Sequence, residues 1–129
     1  MIVAICVDDR MGLMFQGRRL SKDALLRQKL LELSGGRLRM SPYSAKQFEE
    51  HVYAGSDYLS GAEENDWCFV ENGDYQAVSD RIQKIVLFKW NRSYPSDLCF
   101  TFPGEWRLIH AEDFPGKSHE RITMEVYER

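Results

Sequence analysis

No stretch of this sequence is long and apolar enough to cross a bilayer. Its longest apolar run, Met1 to Val7, stops at Asp8-Asp9-Arg10, whereas a membrane helix needs about 20 such residues. With no basic segment ahead of it, the run reads as a buried strand and not as a secretion signal. Cysteine is scarce, with three residues, Cys6, Cys68 and Cys99, each among apolar neighbours; that odd, scattered set predicts reduced thiols in a cytoplasmic protein and no disulfide framework. No CxxC pair exists, and His51, His110 and His119 form no HxH, HExxH or HxxxH spacing, so no metal is expected. An excess of one charge is missing too: 17 basic against 20 acidic residues give a net charge of −3. No global field draws in nucleic acid or an anionic membrane, and neither is an expected partner. The sequence also shows no Ser/His/Asp order, nucleophile elbow or Walker loop.

What is present is a globular composition, with 43% apolar and 12% aromatic residues in 129, the length of one domain. Residues 1–129 are therefore expected to form a single domain. Met1–Val7 is β-branched and apolar throughout, the pattern of a central strand covered on both faces. Residues 8–17 read as turn and loop. Ser21 is the expected N-cap of a helix with Asp23 in its first turn; leucines at 25, 26, 30, 31 and 33 share one helical face, and Gly35-Gly36 suit a left-handed cap.

Residues 37–40 alternate like a short strand, and Ser41-Pro42 open a second expected helix running to about residue 50. A short strand is expected at Val52-Tyr53. The runs 67–70 and 84–90 are strand-like with room between them for a short helix, a βαβ unit with parallel strands. Another strand is expected at 97–102. Residues 106–110 and 122–127 alternate and are joined by Phe114–Ser118, as in an antiparallel hairpin. The expected fold class is three-layer α/β: a mostly parallel mixed sheet, flanking helices and a C-terminal antiparallel hairpin.

Several strings, in collinear order, resemble the dihydrofolate reductase family in a shortened form. They are Ile2-Val-Ala-Ile, then Gly12-Leu-Met-Phe-Gln-Gly17 with Leu20; Lys84-Ile-Val-Leu-Phe-Lys-Trp90; Tyr94-Pro-Ser-Asp97 with Phe100 and Phe102-Pro103; Trp106-Arg-Leu-Ile109; and Ile122 to Arg129, ending in Tyr-Glu-Arg. The resemblance implies a dihydrofolate-reductase-like fold. It also sets out what a member needs, and this chain departs from it. The carboxylate of the family's first helix is replaced by Leu25, Leu26 and Arg27, so that Asp23 substitutes only with a register shift. The family's Gly-Arg-Lys-Thr, which grips cofactor phosphates at a helix N-terminus, is here Ser41-Pro42-Tyr43-Ser44, and its Gly-Gly pair is replaced within Val70-Glu71-Asn72-Gly73-Asp74. A side chain at such a pair blocks close backbone approach, and the two acids repel a diphosphate.

Candidate surfaces follow from position and composition. Asp8, Asp9 and Arg10 leave the C-terminal end of the central strand, where open α/β sheets place their ligand crevice. Arg18 and Arg19, with Lys22, Arg27 and Lys29, make the N-terminal third locally basic, suited to phosphate or an acidic partner. Trp90, Asn91, Arg92 and Tyr94 place two aromatics around polar groups, an interface composition. Asp23, His110, His119 and Arg121 are the residues from which acid, base and phosphate clamp would be drawn.

The function expected from these features is a non-catalytic binding protein on a dihydrofolate-reductase-like scaffold, without a cofactor, holding a protein partner or a small nucleotide-like ligand. An NADPH-dependent reductase with an altered cofactor site is one alternative. A small metal-independent ribonuclease or nucleotide hydrolase is another. Solvated charge on helix and strand ends is the plain alternative for each charged cluster.

Overall fold

The computed structural model describes all residues, Met1–Arg129. Its centre is the apolar N-terminal strand β1 (Ile2–Val7), which pairs in parallel with β6 (Trp67–Phe69) on one side and β7 (Lys84–Lys89) on the other. Outside β6 lie β4 (Leu38–Met40) and β5 (Tyr53–Ala54), also parallel. Outside β7 lie the antiparallel β10 (Ile122–Glu128) and β9 (Arg107–Phe114). The seven-stranded order is β5-β4-β6-β1-β7-β10-β9.

Period-two side-chain alternation sends β1 to two cores at once. Val3, Ile5 and Val7 pack with Tyr75 and Ile82, from the 3-10 helix Gly73–Arg81 and its end. Ala4 packs in a second cluster with Leu26 and Leu30 of α1 (Ala24–Ser34). The two helical elements thus cover opposite faces of the sheet, and the connections leaving β1 and β6 diverge between these adjacent strands. That divergence is where α/β sheets open a crevice.

The mostly parallel mixed sheet and the C-terminal antiparallel hairpin match the expected fold class. Local corrections are several. Asp23, not Ser21, caps α1: its backbone is extended and its carboxylate accepts from the N–H groups of Leu25 and Leu26. Gly35 closes the helix at φ 57°, as expected of a left-handed cap. The second helix, α2 (Pro42–Ala45), is a single turn; its loosely spaced apolar residues give no continuous face to bury.

Residues 8–17 are not all loop. β2 (Gly12–Phe15), β3 (Arg18–Arg19) and β8 (Leu98–Cys99) form a small separate sheet. The strand expected over 97–102 is therefore two residues long and lies outside the main sheet. β9 reaches Phe114 and is exposed almost throughout as the edge strand, with a register shift that leaves Ile109 unpaired.

Candidate functional site

The crevice between the ends of β1 and β6 is filled from within the chain. Arg19 comes in from β3 and Glu71 from the turn after β6. The guanidinium meets the carboxylate through two bonds, Nε to Oε2 at 2.9 Å and Nη2 to Oε1 at 3.1 Å, the bidentate geometry that suits Arg. Ser44 Oγ (2.8 Å) and Gln47 Nε2 (3.2 Å) donate to the same Oε1. Tyr43 lies under the Arg19 guanidinium at 4.4 Å, and its hydroxyl accepts from Arg19 N. About 10 Å³ of cavity remains, bordered by Cys6, Leu13, Ser21 and Trp90, room for about one water.

Two sequence-based expectations change here. Arg19 is not a free member of a basic patch, and Glu71 is not a free charge facing solvent but a neutralised one.

A second cluster forms where α1 begins. The Asp23 carboxylate takes six hydrogen bonds: Oδ1 accepts from Leu25 N, Leu26 N and Lys117 N, and Oδ2 from Ser118 N, His119 N and His119 Nδ1. Burial alone raises a carboxyl pKa, but here the Lys117 N–H, the His119 ring and the Ser118 and Leu26 N–H groups outweigh it and hold the carboxyl far below the usual range. An ionised carboxylate only accepts, so Nδ1 of His119 carries a proton. The ring's Nε2 faces two hydroxyls, Ser21 Oγ at 3.0 Å and Tyr94 Oη at 3.2 Å. Trp90 stacks on the ring at 4.4 Å. The loop over the carboxylate needs Gly116, because a Cβ there would lie 2.7 Å from Asp23 Oδ2 and from the His119 carbonyl.

Asp8, at the foot of the crevice, is also a backbone organiser. It is buried and accepts from Arg10 N, Gly12 N and Tyr94 N. Burial works to raise its pKa, but these bonds and the Arg10 charge lower it. Asp9 and Arg10 are exposed, and Asp9 accepts from Ser93 Oγ.

Trp90 is 4% exposed and packs in the core, and with Asn91, Arg92, Glu120 and Arg121 it lines a pocket of about 400 Å³. Asn91, at φ 60°, donates to the Arg121 carbonyl and to Thr123, and Arg92 donates to the Ser118 carbonyl. Of the candidate acid–base residues, Asp23 and His119 are brought together. His110 lies on exposed β9 beside Glu112, and Arg121 pairs with Asp113 at 3.7 Å. No group of three or more His, Cys, Asp and Glu side chains is arranged to hold a metal ion.

Sequence reasoning gave Ser21 only as a helix cap; the structure sets its hydroxyl against His119, which in turn meets Asp23. The only local signal is Ser21-Lys-Asp23; the histidine arrives from 96 residues away.

Beside the filled crevice lies an open cleft of about 560 Å³, bounded by Phe15, Gln16, Arg18, Leu20, Tyr94 and Pro95. Phe15 is 40% exposed. The Arg18 guanidinium enters no ion pair.

The fold and its strand-end crevice define a class: an α/β domain with the dihydrofolate reductase architecture. Among solved structures, the chain is similar to dihydrofolate reductase from Enterococcus faecalis complexed with NADP(H) and RAB-propyl, at a TM-score of 0.65 and 11% identity, covering 100% of this chain and 96% of that one. No family model matches the sequence, and a search of curated proteins returns no match. No helix is long and apolar enough to cross a membrane.

Proposed function

We propose that this chain is a binding protein on a dihydrofolate-reductase-like scaffold, and that it does not carry out hydride transfer. The observation that carries this reading is the Arg19–Glu71 pair, which, with Ser44, Gln47 and Tyr43, occupies the place where the fold class opens its crevice. Hydride transfer needs a nicotinamide held in register against a polarised ring. A residual space of about 10 Å³ holds neither.

Ligand capture moves instead to the adjoining cleft. Phe15, Leu20, Tyr94 and Pro95 supply apolar and aromatic surface, and Arg18 supplies an uncommitted positive charge, the mixture typical of small-molecule sites. A small nucleotide-like or other anionic aromatic ligand fits that chemistry. Titration with NADPH and with folate, followed by intrinsic fluorescence, tests the reading. No turnover is expected; saturable binding with turnover overturns the reading.

A further inference from the structure

We infer that Ser21 is a reactive nucleophile that accepts an acyl group from an activated ester or thioester, with His119 as its general base and Asp23 as the residue that positions the imidazole. The site adjoins the cleft proposed above for ligand capture, with Leu20 bordering both, and is independent of whether hydride transfer has been lost.

Nucleophilic serine chemistry needs a hydroxyl within hydrogen-bond reach of a base whose other nitrogen is fixed by a third group. All three relations are present: Ser21 Oγ to His119 Nε2 at 3.0 Å, His119 Nδ1 to Asp23 Oδ2 at 2.9 Å, and an Asp23 carboxylate anchored by five backbone N–H groups. With Nδ1 turned to the carboxylate, Nε2 is the ring nitrogen that faces the hydroxyl. Trp90, stacked on the imidazole, blocks rotation out of that line.

The base and its carboxylate are shielded from water, with side-chain exposures of 1% and 0%, while Ser21 keeps part of its surface. Ser21 itself borders the small cavity of the crevice, and the open cleft lies next to it. Tyr94, the second hydroxyl on Nε2, forms part of its wall, as does Leu20, the residue preceding Ser21. The backbone N–H of Lys22, one residue past the nucleophile, has no acceptor within the chain and is available to the charge that develops on the carbonyl oxygen. Phe15, Leu20 and Tyr94 favour a flat or apolar acyl group, and Arg18 favours a negative charge at its far end.

The step balances with water as the only co-reactant. Ser21 Oγ adds to the carbonyl carbon as its proton passes to His119 Nε2. The tetrahedral intermediate collapses with cleavage of the C–O or C–S bond, and the alkoxide or thiolate leaves with the proton from Nε2. Water then adds to the acyl-serine, again giving a proton to His119, and the intermediate breaks down to a carboxylic acid and free Ser21.

The test uses the full chain, a fluorescent alkyl fluorophosphonate and p-nitrophenyl acetate. Expected are one covalent adduct per chain, localised to Ser21 by peptide mass spectrometry, and a p-nitrophenol burst. Ser21→Ala abolishes both while keeping a cooperative melt, and the exposed control Ser56→Ala behaves as wild type. His119→Gln slows labelling by about 100-fold, the lower end of what a positioned base contributes; if it does not fold, Ser21→Ala decides by itself. A folded wild-type chain that stays unlabelled, an adduct on another residue, or undiminished labelling of Ser21→Ala overturns the assignment. Inert Ser21 with no NADPH turnover leaves the binding reading standing. Saturable NADPH binding with turnover removes the binding reading and leaves a labelled Ser21 standing.

Discussion

His119 Nδ1 and Asp23 Oδ2 meet at 2.9 Å although 96 residues separate them in sequence. The contact joins the start of α1 to the loop that leads into β10, closing the molecule beside the crevice. Because the carboxylate is enclosed and charged, its substitution is expected to act on the whole fold. Asp23→Asn keeps the shape but turns an acceptor toward donors into a donor, and should cost about 1.5–3 kcal/mol, the range for hydrogen bonds to a charged group. Urea denaturation gives the number. A loss below about 1 kcal/mol would show that the six hydrogen bonds are not a main support of the fold.

Acid should uncover the same contact. Asp23 and Asp8 both have pKa values lowered in the folded state, so each contributes stability that is fully present above the ordinary carboxyl value. That contribution is lost as pH falls from there toward the folded-state value. Melting temperatures between pH 6 and the acid limit should therefore drop with falling pH, and Asp23→Asn should flatten the slope. An equal slope in wild type and variant would refute the assignment.

Gly116 is expected to tolerate no side chain. Gly116→Ala places a methyl 2.7 Å from Asp23 Oδ2 and the His119 backbone oxygen, and the forced shift should cost about 1–3 kcal/mol. Thermal melts measure it. Ser21 labelling should fall alongside, because the displaced loop carries His119.

Arg19 and Glu71 should behave as a unit. Arg19→Ala strands a carboxylate whose side chain is 10% exposed, at a cost of about 3 kcal/mol, the lower end for a buried pair because part of it still meets water. Replacing both, Arg19→Met with Glu71→Leu, should be less destabilising than Arg19→Ala. A double-mutant cycle in urea reads the coupling; additive losses would mean that the pair does not close the crevice as a unit.

Thiol chemistry reports on the fold from another side. Cys99 is exposed, whereas Cys68 is buried, with burial pushing its thiol to about 11; burial also pushes the Cys6 thiol well up. Since the thiolate is the reactive form, one equivalent should react quickly with an aromatic disulfide reagent in the native state and three in urea. Three fast equivalents in the native state would contradict the packing of β1 and β6.

How much of this was legible in the sequence differs from element to element. The strand Ile2–Val7, the helix ending at Gly35 and the closing hairpin were readable because each carries a local signal: a continuous apolar run, a helical leucine spacing with a left-handed cap, and alternation. The two-residue strands β3 and β8 were not, since they exist only through pairing with β2 and carry no periodicity. α2 was overread because a good cap starts a helix but cannot extend one without an apolar face to bury.

The sequence alone determined an α/β chain with its central strand, and the places where its residues depart from those of its fold class. Only the tertiary structure decided that Arg19 folds back onto Glu71, that Asp8 and Asp23 accept from backbone N–H groups, and that Ser21 meets His119 and His119 meets Asp23. The physical reason is range. Periodicity and capping act over a few residues, whereas a hydrogen bond between positions 23 and 119 forms only after the sheet has brought the two ends of the chain together.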